Sequence, residues 1–234
     1  MEPTLTNPEN PSDATVPLMF ATEPERLLAL LHAGQGDLQL LRRAVAKYGS
    51  GRAAIAASGL ESRLRAGVSD ARAATIVAET VRVTSENGFR WLAPEDPDFP
   101  EALRGTDCPL LCVAGSVPVG PAVAVVGARE ADAYGLGVAR ALGGALASAG
   151  VTVVSGGAQG IDRAAHEGAL DAGGKTVVVL GTGLVDGLRQ RGDLVRRAAA
   201  AGAVLTEYLP AASGSPRSFP DRNRLVARLG LATV

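Results

Sequence analysis

Aromatic residues are scarce in this chain: four Phe, three Tyr and one Trp make up 3% of 234 residues. Hydrophobic residues still reach 47%, so alanine, valine, leucine and glycine must fill the interior, which favours close packing of helices on a sheet. Cysteine is almost absent. Cys108 and Cys112, inside CPLLCV, are the only two, and His32 and His166 are the only histidines. A zinc site needs further Cys or His ligands beside the two thiols, and only those two histidines exist to supply them; no metal is expected, and the thiols read as core residues of a protein in the reducing cytoplasm. A surplus of one charge is also missing, with 23 basic against 24 acidic residues and a net charge of −1. That excludes a globally basic nucleic-acid binder but not a locally basic groove, because attraction to phosphates depends on where charges sit. No apolar run approaches the ~20 residues of a membrane span. The start, MEPTLTNPENPSDATVPLMF, has neither a basic end nor an apolar stretch, so it is no signal peptide. It reads as a disordered, proline-broken tail over residues 1–21, and no membrane partner is expected.

What is present falls into two patterns. From Glu23 to Asn87 the apolar period is helical. EPERLLALLHAG ends on Gly34; DLQLLRRAVAKYGS opens on Asp37, an N-cap candidate, and stops at Gly49; GRAAIAASGL and SDARAATIVAETVRVTSENG follow, the latter with Ser69 or Asp70 as its cap. Residues 22–88 therefore form a small helical module. Residues 89–120 read as a proline-rich connector with one lead-in strand in PLLCVAGS. From residue 121 strands and helices alternate. AVAVVG, VTVVSGG, KTVVVLG and AVLTEY are continuous apolar runs of the buried, parallel kind, separated by helical segments and followed by DRNRLVARLG. Residues 121–234 thus form an α/β domain, an extended Rossmann-like, doubly wound and mainly parallel sheet. Its ligands belong at the C-terminal ends of the strands. GLATV reads as the opening of one more strand, and the chain is expected to be a truncated piece of a longer one.

Four loops fall at those strand ends. In the first, VVGAREADAYGLG, Gly127 allows a tight turn and Arg129 can project a cation over the sheet edge, near a helix N-terminus that favours anions. GxGxxG is absent and no acidic residue ends the second strand, so no nicotinamide cofactor is expected. In the second, SGGAQGID, Ser155, Gly156, Gly157 and Gly160 permit close approach of a backbone or a phosphate, and the strand-end position favours phosphate. Asp162 and His166 share a helix face at i, i+4. With Ser155 they have the composition of a triad, but the GxSxG elbow is missing. Asp162 reads as a helix-start partner and His166 as a packing residue, and no catalytic residue is expected. In the third, LGTGLVDGLRQRGD, Gly181 and Gly183 again permit close approach; Arg189 and Arg191 fit a solvated surface as well as a binding role. In the fourth, PRSFPDRNRL, Arg217, Arg222, Arg224 and Arg228 face only Asp221. These arginines can grip phosphates with bidentate forks or brace carboxylates such as Asp162 or Glu207. Phe219 fits the core, and it equally suits base stacking, worth about 1–3 kcal/mol per base.

VVGAREADAYG, VSGGAQGIDRAAHEGALDAGGKTVVVLGTGL, TEYLP and FPDRNRLVARL, in that order, resemble the DNA-processing protein A family, also called Smf. The likeness runs from about Phe89 to the end of the chain, and DPDFPEALRGTDCPLLCVAG is similar to the family's lead-in segment. The earlier helices resemble the sterile-alpha-motif or helix-hairpin-helix-like module common there. The resemblance implies a protein without catalytic activity that binds single-stranded DNA with little sequence preference. It further implies loading of a RecA-type recombinase onto that DNA in natural transformation. By motif, Arg129 would contact phosphate; Ser155, Gly156, Gly160 and Lys175 would line the backbone track, with Gly127 and Gly157 in the same loops; Phe219 would stack on a base; Arg222, Asn223 and Arg224 would complete the groove. Asp162 and His166 would support it. One segment departs from the pattern: LVDGLRQRGDL replaces the family's Tyr-Pro pair and following Asn. The family's sheet continues past this chain's last residue, with self-association and recombinase contacts partly there, so a homodimer of this chain is left open. Two other readings compete: a nucleotide phosphoribohydrolase of the lysine-decarboxylase-like group, whose PGGxGTxxE pattern is not matched by SGGAQGID, and a protein–protein adaptor acting through the helical module.

Overall fold

The computed structural model describes residues 20–57 and 70–234. The tail expected over residues 1–21 lies outside them except for its last two residues, and so does Ser69. The chain divides into two compact units between Ala78 and Glu79.

The first unit holds α1 (Glu23–Ala33), α2 (Leu38–Tyr48), α3 (Gly51–Ala57) and the start of α4 (Asp70–Glu86). Local signals fix the ends. Thr22 and Glu25 bond each other's backbone N–H at 3.4 and 3.0 Å, a reciprocal cap on α1. Asp37 accepts the N–H groups of Gln39 and Leu40 at 2.9 and 3.1 Å, and Gly49 closes α2 with φ 84°, a conformation that favours glycine. Leu27, Leu28, Leu31, Leu41 and Ile55 are buried.

The second unit is built on one seven-stranded sheet: β1 (Phe89–Leu92), β2 (Leu111–Gly115), β3 (Ala122–Ala124), β4 (Thr152–Ser155), β5 (Thr176–Val179), β6 (Ala203–Thr206) and β7 (Ala232–Thr233). Its order is β1-β2-β6-β5-β4-β3-β7. The first two strands are antiparallel to their neighbours, and the rest pair in parallel. The mainly parallel sheet matches the sequence reading. β1 was not expected: FRWL is four residues beside a proline-rich run, too short to show a period. It is a strand because Phe89, Trp91 and Leu92 are buried and its backbone pairs with β2.

Three helices follow β3, β4 and β5 in turn: α5 (Ala133–Ser148), α6 (Ile161–Asp171) and α7 (Leu184–Ala201). Each carries the chain one strand further in the same direction, and right-handed crossovers put all three on one face. There Val125 and Val153 pack with Ala165 and Ala169. α8 (Ser218–Leu229) runs the other way, from β6 back past β3 to β7. It covers the opposite face, where Leu225 and Val226 pack with Val154, Val177 and Val179. The shortage of large rings shows in the spacing of the helices. A Cβ on Gly143 would overlap the Ala165 carbonyl, and one on Gly168 would overlap that of Arg140, so α5 and α6 touch backbone to backbone. Cys108 and Cys112 are both buried in this unit.

Candidate nucleic-acid interface

The winding reverses at β3. α5 leaves its C-terminal end on one face, while α8 returns on the other and delivers β7 to its far side. Strand order that reverses in this way opens a crevice at the C-terminal edge, the usual ligand position in open α/β sheets. A cavity of about 280 Å³ occupies it, lined among others by Gly127, Arg129, Asp162, Phe219, Arg222 and Asn223. A shallower depression shares Arg129, Phe219 and Asn223 and continues over Ser215 and Pro216.

Arg129 follows β3 and is exposed. Its guanidinium lies 4.8 Å from the centroid of the Phe219 ring, a cation–π distance. The ring is half-buried and rests on two glycines: a Cβ on Gly181 or Gly214 would come within 2.8 or 2.7 Å of it. The close approach that Gly181 permits is therefore used by the protein's own aromatic. Ser215 and Ser218 bond each other's backbone N–H at 3.0 and 2.8 Å, which fixes the start of α8 and with it Phe219.

The glycine loop after β4 is turned inward. Ser155, Gly156, Gly157 and Gly160 are all buried. Arg222, on α8, fills the space beside Gly156: a Cβ there would overlap its guanidinium. Its Nη1 donates to the Gly156 carbonyl at 2.8 Å and to that of Val179, and its Nε donates to Asn223 Oδ1 at 3.1 Å. One side chain thus ties the ends of β4 and β5 to α8. Burial pushes the Arg222 guanidinium down to about 10, with Asp162 opposing the shift and Arg191 and Arg129 adding to it. Asp162 is buried and accepts the Gly156 N–H at 3.2 Å. Gly160 has φ 92°, and a Cβ there would overlap the Ala128 carbonyl. These glycines serve contacts within the protein, and the expected site residues that line the cavity are Gly127, Arg129, Asp162, Phe219, Arg222 and Asn223.

Two residues further along α8 the roles differ. Arg224 Nη2 donates to both oxygens of Glu207, at 2.6 and 2.7 Å, and its Nε lies 3.2 Å from Asp107. The Glu207 side chain is 1% exposed. Asn223, between the two arginines, is exposed. His166 is completely buried, its Nδ1 2.6 Å from Thr176 Oγ1. Burial pushes the imidazole from 6.5 to about 3, so the ring is neutral. Ser155 Oγ has no hydrogen-bond partner among the described residues, and Asp162 faces the backbone of Gly156 rather than the ring. The three form no triad. Lys175 is not brought to this group. It immediately precedes β5, at the N-terminal end of a strand whose other end lies about 13 Å away at ~3.3 Å per residue.

The sequence left one nearby residue undecided. Arg191 interrupts α7 with non-helical φ −139° and ψ 25°, and its Cδ lies 3.8 Å from where a Gly157 Cβ would stand. RQRG, a glycine right after an arginine pair inside a helical run, was the available signal.

A family model for DNA recombination-mediator protein A matches residues 90–234. The chain belongs to this family. Among curated relatives, the DNA processing protein DprA of Mycobacterium tuberculosis is 37% identical over 179 residues, which cover 67% of this chain and 45% of that protein. Protein Smf of Synechocystis is 36% identical over 154 residues, covering 62% and 39%. The chain thus spans less than half the length of these relatives. Two solved structures share the fold. DNA processing protein A from Helicobacter pylori, described by a unique single-stranded DNA binding mode, aligns with a TM-score of 0.52 at 28% identity over 62% of this chain and 67% of that one. DprA from Streptococcus pneumoniae aligns with a TM-score of 0.54 at 25% identity over 90% and 71%. Among the described residues no helix is long and apolar enough to cross a membrane.

Proposed function

We propose that this chain binds single-stranded DNA across the crevice at the reversal of its sheet, as a binding protein rather than an enzyme. The observation that carries the reading is the exposed Arg129 guanidinium held on the Phe219 ring at the mouth of the cavity. A planar cation beside a planar ring offers what a flexible strand presents: a phosphate for the fork and a base face for stacking. Asn223 supplies a neutral polar contact beside them. Arg222 and Arg224 shape the wall from behind through Gly156, Val179 and Glu207. We further propose that the bound strand is handed to a RecA-type recombinase during natural transformation in the cytoplasm, a reading supported by membership of a recombination-mediator family. The helical module of residues 22–88, the 89–120 segment and the DNA-binding domain from residue 121 are proposed as its working divisions, and self-association as a property to be measured by sedimentation.

The test is binding to oligo(dT) and to duplex DNA over a range of salt. Affinity for the single strand should fall steeply with salt and depend on length more than on base. Phe219→Ala should weaken binding by about 1–3 kcal/mol per stacked base, and Arg129→Ala should weaken all sequences alike. Equal affinity of wild type and both variants at matched salt would sink the assignment. Recombinase loading is checked separately, by filament assembly on DNA coated with single-strand-binding protein, with and without the chain.

A further inference from the structure

Arginine side chains from two helices lie against one buried loop, and a third arginine lines the same cavity as one of them. Arg222 comes from α8 and holds the Gly156 carbonyl. Arg191 comes from the break in α7 and lies against the next residue, Gly157. Arg129 comes from the loop after β3, and both others feel its repulsion. The carboxylate that faces Arg191 and Arg222 together is Asp162. Asp186, which also attracts Arg191, is already bonded to Arg189 and to Gln190, the latter at 2.7 Å. Arg191 itself is half-buried, and no hydrogen bond or ion pair holds its guanidinium among the described residues.

This arrangement is poor for stability. Desolvation of Arg191 disfavours its charge, Asp186 and Asp162 oppose that, and Arg129 adds repulsion. A helix also has to break to bring it there, since a single non-helical residue interrupts the hydrogen-bond ladder. Like charges gathered with too few partners, where a helix is interrupted beside a strand-end crevice, mark a place suited to a ligand. A neutral side chain of similar length would serve the fold better. The ligand must be an anion. It must also present several acceptor oxygens to forks arriving from different directions, which is how a phosphodiester is gripped.

We propose that Arg191 is a phosphate-contacting residue, and that with Arg129 and the outer edge of Arg222 it forms a seat for one backbone phosphate of the bound strand. The inference rests on the single-stranded DNA reading above. It extends the interface from the Phe219 side of the crevice across the Gly157 loop to α7. The segment that departs from the family pattern, LVDGLRQRGDL, then contributes its own cation to the track.

The test is Arg191→Gln, with Arg191→Lys and Arg129→Ala beside it, measured on oligo(dT) over a salt series together with the Tm of the DNA-free proteins. The glutamine variant should bind about tenfold more weakly, the loss expected for one charge-assisted hydrogen bond. The slope of log affinity against log salt should shrink by about 0.7, the value for one phosphate of a single strand. Its DNA-free Tm should equal or exceed that of wild type. The lysine variant should keep the slope while losing part of the affinity, because the charge remains and the fork does not. An unchanged slope in Arg191→Gln, or a lower Tm, overturns the proposal, since the arginine would then serve only the fold. If Arg129→Ala loses slope while Arg191→Gln does not, the phosphate seat falls and the single-stranded DNA reading stands. If wild type does not bind oligo(dT), both fall.

Discussion

Two pairs of arginines stand near the C-terminal edge of the sheet, two of the four lining its cavity, and the protein treats the pairs oppositely. Arg222 and Arg224 are surrounded by acceptors: carbonyls of two strand ends for one, a buried carboxylate for the other. Arg129 and Arg191 have a ring and a glycine loop beside them and no ion pair among the described residues. The first pair braces the wall, and the second is the pair proposed as the rim. All four are arginines near one edge, so composition does not separate them. What separates them is where their acceptors come from, and each group therefore has its own measurable signature.

The largest effects belong to the wall. Arg222→Met removes the donors to Gly156 and Val179 and leaves both buried carbonyls short of a partner. It should destabilise the sheet unit by about 3–5 kcal/mol in chemical denaturation, the range for losing one partner of a buried charged network. Arg224→Ala removes the two-oxygen ion pair from the buried Glu207 carboxylate and should cost up to about 3 kcal/mol, tempered because Arg224 keeps part of its surface in water. Adding Glu207→Gln should recover part of that loss, since the buried charge that lost its guanidinium is then gone. If either arginine variant keeps wild-type stability and loses only DNA affinity, that residue belongs to the rim instead.

This division explains how far the sequence could be read. Parallel strands announced themselves as continuous apolar runs, and strand-end loops follow from that winding, so the crevice was legible in AVAVVG, VTVVSGG and KTVVVLG. Helix ends at Thr22, Asp37 and Gly49 depend on neighbours a few residues away, and Asp37 and Gly49 were legible for that reason. The roles of the arginines were not. In RNR, successive residues turn about 100° around the helix axis, so Arg222 and Arg224 point to different partners and Asn223 points outward. Those partners, Gly156 and Glu207, lie 66 and 17 residues away in the chain, beyond any local pattern. The glycines of SGGAQGID are the same case: the sequence says that they permit close approach, and only the fold shows what approaches within the protein, Arg222 at Gly156, Val178 at Gly157 and the Ala128 carbonyl at Gly160.

A smaller effect separates the wall's neutral support from its charges. His166 is neutral in the folded protein because burial pushes it to about 3, while the unfolded chain takes up a proton near the ordinary 6.5. The unfolded state therefore binds more protons between these values. The stability this histidine supports is complete above about pH 6.5 and declines as pH falls towards 3. His32 is also pushed down by burial and adds to the same slope. Denaturation of His166→Gln between pH 7 and pH 5 should show a shallower dependence than wild type, with the remaining slope owed to His32. An identical dependence in the two proteins would mean that His166 is protonated in place.

The smallest effect is expected where the sequence placed a cation and the fold did not bring it to the others. Lys175 is exposed at the N-terminal end of β5, whereas Arg129 stands at the C-terminal edge. Screening at physiological salt has a length of about 8 Å, and the strand alone separates the two edges by more than that. Lys175→Ala should therefore leave oligo(dT) affinity within about twofold and the salt slope unchanged, since the slope counts phosphates in contact rather than net charge. Arg129→Ala removes the same single charge at the rim and should lower both affinity and slope. Its DNA-free stability should stay within about 0.5 kcal/mol of wild type, as for other exposed substitutions. The two variants have equal net charge, so any difference between their salt slopes reports position alone. A matching loss in Lys175→Ala would show that the strand passes over the opposite edge of the sheet, and the crevice would then lose its claim as the main track.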